Sequence, residues 1–246
     1  MSKVLSDETA MARAECGYAL HRAVVAWEGP VDGDTDAFVR DLLRVSNAVH
    51  QGMVICGPWM EARLSHLVRG WLPLGWTTSG PSQVFNPSRP ELRSRSWDIV
   101  VHRDTLADVP PPAAPGSGWP LVPLAQVAAV IDTKTNFSEP ARYAAQRAFN
   151  LMNDCEQAQL DLLGGDVAKI VLTVTSARSP DWLRKEGERC DLDVFGLGRY
   201  RSSAVSESVN RSTTWLMSRY EDGTSPFQRF KERVLEAVER AEGRSG

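Results

Sequence analysis

Asp132 and Lys134 stand two residues apart at the end of Val127-Ala128-Ala129-Val130-Ile131-Asp132-Thr133-Lys134, a run otherwise apolar on both faces. Positions i and i+2 of a strand share a face, so this carboxylate and this ammonium project together. Of the five lysines (Lys3, Lys134, Lys169, Lys185, Lys231), Lys134 alone has an acid two residues before it. A second acid, Asp98, sits inside the compact strand expected over 97–102, just before the apolar Ile99-Val100-Val101. If the two strands lie side by side, three charged groups converge. Two carboxylates there suit a hard divalent cation, Mg²⁺ or Mn²⁺, which keeps several waters in its shell. Such an ion polarises a phosphodiester and helps to activate water, while a nearby ammonium stabilises charge in the transition state. The competing reading is a solvated Asp132–Lys134 pair at a surface strand end, with Asp98 an acid near a turn.

The elements that would position these groups follow from spacing. A helix is expected after Gly57-Pro58, proline suiting its first turn. Its apolar residues are Met60, Leu64, Leu67, Val68, Trp71 and Leu72. Glu61 shares a row with Leu64, Val68 and Leu72, and an acid aligned with a buried stripe needs a partner or a task. A salt bridge or a capping role would satisfy it equally. Strands are expected around 76–78 and 83–85, then a basic turn over 89–95, then the Asp98 strand. Residues 104–120, with five prolines, read as an irregular loop. A helix is expected from Ser138 to about Leu160, and another strand over 168–174, with 192–197 as a further candidate. Ser225-Pro226-Phe227-Gln228 is a capping box, and Phe227, Phe230, Val234, Val238 and Ala241 follow as one helical stripe. Near the N-terminus, residues 6–27 and 35–50 read as two helices joined by a turn rich in glycine and proline.

The 246 residues carry 42% hydrophobic and 24% charged side chains, the balance of a globular chain with a packed core. No apolar run approaches the ~18 residues that cross a bilayer, and no basic-then-apolar leader opens the sequence, so the cytoplasm is expected. Cys16, Cys56, Cys155 and Cys190 lie too far apart for a zinc ribbon, and buried thiols are the expectation. The histidines (His21, His50, His66, His102) are equally scattered. A net charge of −3 argues mildly against a protein that coats nucleic acid, but residues 1–56 account for all of it. There is no G-x-x-x-x-G-K-[ST] loop, no G-x-S-x-G elbow and no H-E-x-x-H. Gly196-Leu197-Gly198 lacks a third glycine and a following helix, so its glycines read as turn residues.

Four pieces resemble one nuclease pattern: Gly57-Pro58-Trp59-Met60-Glu61, Leu72-Pro73-Leu74-Gly75, Ser94-Arg95-Ser96-Trp97-Asp98-Ile99-Val100-Val101, and Ala129-Val130-Ile131-Asp132-Thr133-Lys134. Together with the element order they resemble the PD-(D/E)xK nuclease superfamily, and within it an uncharacterised bacterial branch. The resemblance covers roughly residues 50–175. It implies an α/β fold, a restriction-endonuclease-like αβββαβ core on a central mixed sheet. The expected division is an N-terminal helical addition (1–50), the nuclease-like core (51–175) and a C-terminal extension packing on it (176–246). Asp98 and Asp132 would be metal ligands, with the Thr133 carbonyl a third and Glu61 reaching the ion directly or through water. Lys134 would position the water or stabilise charge. Gln146 has an occasional counterpart in such nucleases, though a solvated surface position is the expectation here. Trp97 stands where the pattern has proline, and Asp132 where close relatives prefer glutamate.

The resemblance therefore implies a Mg²⁺-dependent (or Mn²⁺-dependent) endonuclease acting on DNA, and a role in restriction or defence against foreign DNA accords with the family type. Arg89, Arg93, Arg95 and Arg103 around the Asp98 strand are the expected phosphate contacts. The charges of 178–201 are nearly balanced and read as a solvated face. No DNA-reading module accompanies the core, so a protein partner or a homo-oligomer would supply specificity. The alternative is a catalytically silent nuclease-fold module serving as a binding or assembly subunit, favoured by the net acidity. A metal-dependent phosphoesterase acting on nucleotides is the third reading.

Overall fold

A computed structural model of the chain describes residues 53–104, 120–137, 162–176, 178–200 and 215–244. The expected helices over 6–27, 35–50 and 138–160, most of the proline-rich loop, and Gln146 lie outside the described residues.

Two sheets and three helices make up what is described. Helix α1 (Met53–Trp71) leads into β1 (Trp76–Ser79), β2 (Ser82–Asn86), β3 (Arg89–Trp97), β4 (Ile99–Arg103) and β5 (Leu121–Pro123). Then come β6 (Val127–Phe137), β7 (Ala168–Ser176), α2 (Pro180–Glu188), β8 (Asp193–Tyr200), β9 (Trp215–Met217) and α3 (Pro226–Gly243). The main sheet runs β1-β4-β6-β7-β8-β9, and β3-β2-β5 form a smaller one. Pairs β1–β4, β4–β6 and β8–β9 are antiparallel, whereas β6–β7 and β7–β8 are parallel. The architecture is thus mixed α/β around a central mixed sheet. Each parallel pair needs a crossover. Helix α2 supplies the one from β7 to β8.

Strand alternation divides the core in two. Ile99, Val101, Ala129, Ile131, Ile170 and Leu172 face Leu64, Leu67 and Val68 of α1 and Phe227, Phe230 and Val234 of α3. Val100, Val130, Val171 and Val194 face the other way, toward Val84, Trp97 and Val122 and toward Leu183 of α2. Because β6 is apolar on both sides it becomes a central strand, covered on each face. The expected stripe of α3 is buried throughout, and Trp71 meets Phe227 and Phe230 edge-on at 5.6 and 5.7 Å.

Several expectations are corrected. Helix α1 begins at Met53, a turn earlier than expected, so Pro58 falls inside it and one backbone hydrogen bond is forgone. The expected basic turn over 89–95 is part of β3, paired with β2. The single strand over 97–102 breaks at Asp98: β3 ends on Trp97, β4 begins on Ile99, and Trp97 and Ile99 enter different cores. Strand β6 continues past Lys134 to Phe137, so Asp132 lies within the strand and not at its end. The capping box is half formed. Ser225 Oγ accepts from the Phe227 N–H at 3.2 Å, but the Gln228 amide donates to Glu232.

Gly196 is the clearest case of a glycine read for the wrong reason. It lies within β8, not in a turn, and a Cβ there would come within 2.5 Å of Leu183 Cδ1 from α2. Helix α2 therefore rests directly on β8. Gly196→Val is expected to destabilise the fold by about 1–3 kcal/mol through overpacking, measured by urea denaturation. An unchanged midpoint would show that α2 does not sit on β8 in this way.

Candidate active site

Asp98 acquires its position from the corner between β3 and β4. The register Ile99↔Ile131 carries it opposite Asp132 on β6. Like charges facing each other across strands are unfavourable, so the surroundings must compensate. Asp98 Oδ2 accepts from the Thr133 backbone N–H at 2.6 Å and from the Thr133 hydroxyl at 2.9 Å. Lys134 Nζ stands 2.7 Å from Asp132 Oδ2 and donates to the Thr133 carbonyl at 3.2 Å. Asp132 is 4% exposed and Thr133 6%, whereas Asp98 and Lys134 are half-buried, so these interactions are made at the edge of the core, partly shielded from water. Charge-assisted hydrogen bonds are stronger in such surroundings than in open solvent.

Glu61, half-buried on α1, supplies the third carboxylate. Its pKa is raised, first by burial and then by the negative charge of Asp98, with Lys134 acting in the opposite sense. Asp98 is also raised, first by burial and then by Asp132, against the lowering effect of its bonds from Thr133. The structure therefore brings Glu61, Asp98, Asp132 and Lys134 into one electrostatic neighbourhood. It does not draw them into a ready shell: among the described residues no three carboxylate, imidazole or thiolate groups form a metal-holding cluster. Alternation explains this. Thr133 falls on the face of Ile131, toward α1, while Asp132 and Lys134 fall on the face of Val130. The acids thus straddle the strand.

The donor set nevertheless suits a hard cation. Glu61, Asp98, Asp132 and the Thr133 carbonyl offer only oxygen, the preference of Mg²⁺ and Mn²⁺. Two of the three carboxylates are held above their ordinary pKa by burial and mutual repulsion, which a divalent charge would relieve.

Of the expected phosphate contacts, Arg103 lies at the far end of β4 from Asp98, its guanidinium 4.5 Å from the Trp76 ring centroid. Arg89 is exposed at the opposite end of β3 from Asp98. The side chains of Arg93 and Arg95 lie outside the described residues. Sequence reasoning passed over a group that the structure sets in one cleft with Glu61. Ser65, His66 and Arg69 of α1, with the Gly80-Pro81 turn, line a cleft of about 410 Å³ that also includes Glu61 and Asp98. The signal was the polar row Glu61, Ser65, Arg69 at i, i+4 and i+8, bordering the apolar stripe.

No protein-family model and no curated protein matches the chain. Among solved structures, NucC of P. aeruginosa ATCC27853 in its cAAA-bound form is 12% identical with a TM-score of 0.46, covering 99% of this chain and 98% of that one. NucC of E. coli MS115-1 in its cAAA-bound form is 13% identical with a TM-score of 0.45, covering 100% and 99%. The apo form of the same protein is 13% identical at 0.43, covering 76% and 90%.

Proposed function

We propose that this chain is a metal-dependent endonuclease of the PD-(D/E)xK type that hydrolyses phosphodiester bonds in DNA. The observation that carries the reading is the Asp132–Lys134 ion pair of 2.7 Å on the strand next to Asp98, with Glu61 within electrostatic reach. The adjacency of β1, β4 and β6 in the main sheet, with α1 before them in the chain and β7 parallel to β6, supports an αβββαβ core. In this reading Asp98, Asp132, Glu61 and the Thr133 carbonyl would hold Mg²⁺ or Mn²⁺. When bound, the ion would polarise the scissile phosphate and acidify a water. Lys134 is held between Asp132 and the Thr133 carbonyl, fixing its ammonium where it can orient that water and face developing charge. Thr133 holds Asp98 by two donors to Oδ2, and Oδ1 would be the oxygen offered to the ion. A place in restriction or defence, and a homo-oligomer or partner that supplies specificity, would follow from the superfamily resemblance alone.

A silent binding module is favoured by one observation: Asp98 and Asp132 are already engaged by Thr133 and Lys134, as structural acids would be. Incubation of purified protein with supercoiled and linear DNA separates the two. The nuclease is expected to nick or cut with Mg²⁺ or Mn²⁺ and to stop with EDTA. Absence of cutting with either metal, together with no metal-dependent rise in melting temperature, would overturn it in favour of the module.

A further inference from the structure

Arginines elsewhere in the described structure are largely neutralised. In the cleft of about 340 Å³ between α2 and α3, Arg184 pairs with Glu188, Arg233 with Asp193, and Arg229 with Asp222. Arg69 differs. It is exposed, and no carboxylate pairs with it among the described residues. Its orientation is nevertheless set. Nη2 donates to the Thr78 carbonyl at 2.7 Å and Nε to Thr78 Oγ1 at 3.3 Å. Thr78 is itself locked, its hydroxyl donating to the Ser65 carbonyl at 3.1 Å and accepting from Ser65 Oγ at 2.9 Å. Both residues are buried. An uncompensated guanidinium fixed by a buried network has lost its rotamer freedom before any ligand arrives, which lowers the cost of binding an anion.

Its place gives that anion an identity. Arg69 and the exposed His66 line the same cleft as Glu61 and Asp98. Eight residues of helix separate Glu61 from Arg69, roughly 12 Å at about 1.5 Å per residue. That reach extends past a single phosphate, since consecutive phosphates of one strand rise about 3.4 Å along the duplex axis and lie farther apart than that in space. The cleft is therefore acidic where the reaction would occur and cationic farther along α1. We propose that it is the track of the nucleic-acid backbone, with Arg69 the positioning residue that grips a phosphate beyond the scissile one and His66 an auxiliary donor. The inference rests on the nuclease reading and adds the direction in which the substrate strand leaves the acids, along α1.

The test compares wild type, Arg69→Ala, Arg69→Lys and Lys134→Ala. Binding of a labelled duplex is measured by anisotropy in EDTA over a range of salt, cleavage kinetics in Mg²⁺, and folding by melting temperature. Arg69→Ala is expected to weaken binding about tenfold and to reduce the slope of log affinity against log salt by about one, irrespective of sequence, raising KM more than it lowers kcat. Arg69→Lys is expected to keep the slope while losing part of the affinity, because charge remains and the fork does not. An unchanged dissociation constant and slope in Arg69→Ala would overturn the proposal. So would a loss accompanied by a fallen melting temperature with the slope intact, since Arg69 would then only brace α1 against β1. If Arg69→Ala is silent while Lys134→Ala abolishes cleavage, the track falls and the nuclease stands. If wild type neither binds nor cuts DNA, both fall.

Discussion

Lys134→Ala is expected to lower DNA cleavage on the order of 10²–10³-fold, the range observed when a preorganised group facing transition-state charge is removed. The expectation follows from how little freedom the side chain has. Its ammonium lies 2.7 Å from Asp132 and 3.2 Å from the Thr133 carbonyl, so it stands in place before substrate arrives. The substitution also removes a cation from Asp132, which is 4% exposed, and some stability is expected to go with it. Activity and melting temperature should therefore be read together, and single-turnover cleavage at a temperature well below the melting point separates them. A variant that remains folded and cuts at the wild-type rate would remove Lys134 from the chemistry and return the Asp132–Lys134 pair to a structural role.

Asp98→Asn is expected to abolish cleavage and, at the same time, to stabilise the metal-free protein. Asparagine retains an oxygen to accept from the Thr133 N–H and hydroxyl, so the corner between β3 and β4 keeps its bonds. What it loses is a charge whose pKa burial and Asp132 hold above the ordinary value of 3.8. A gain on the order of 1 kcal/mol is expected, roughly 2–4 °C in melting temperature for a chain of this size. The pH dependence has a definite sign. Between the unfolded and the raised folded pKa, the folded state carries the extra proton, so Asp98 and Glu61 make stability fall as pH rises through that interval. Asp98→Asn should flatten that slope. His102 acts in the opposite sense. Burial lowers its pKa from 6.5, so its contribution is present above that value and is lost as pH falls below it. Mg²⁺ should raise the melting temperature of wild type and not of Asp98→Asn. Equal metal stabilisation of both proteins would show that Asp98 is no ligand.

These two substitutions test residues that local sequence patterns single out. Acid-x-Lys at the close of a doubly apolar run, an acid ahead of Ile99-Val100-Val101, and an acid on the apolar row of a helix are local patterns. Local patterns survive in a sequence because the strand period of two and the helix period of 3.6 are properties of the backbone alone. The same periodicity forecast the buried stripe of α3 and the two-sided burial of β6.

What spacing could not supply was everything decided by contact between distant segments. Residues 89–95 looked like a turn because they are basic and contain a proline, yet they pair with β2 as a strand, since edge pairing is set by the partner. Gly196 looked like a turn glycine, and only the approach of Leu183 explains it. Nothing in the local spacing singled out Arg69, whose guanidinium is fixed by Thr78, nine residues on, in the cleft that includes Glu61. The meeting of Asp98 with Asp132 depends on a register of β4 against β6, and a slip of one residue would have turned Asp98 away. By itself, then, the sequence determined which residues could do chemistry and which elements would carry them. The tertiary structure alone decided which of them meet, because pairing register and helix docking arise from burial summed over the whole sheet and not from any residue's neighbours in the chain.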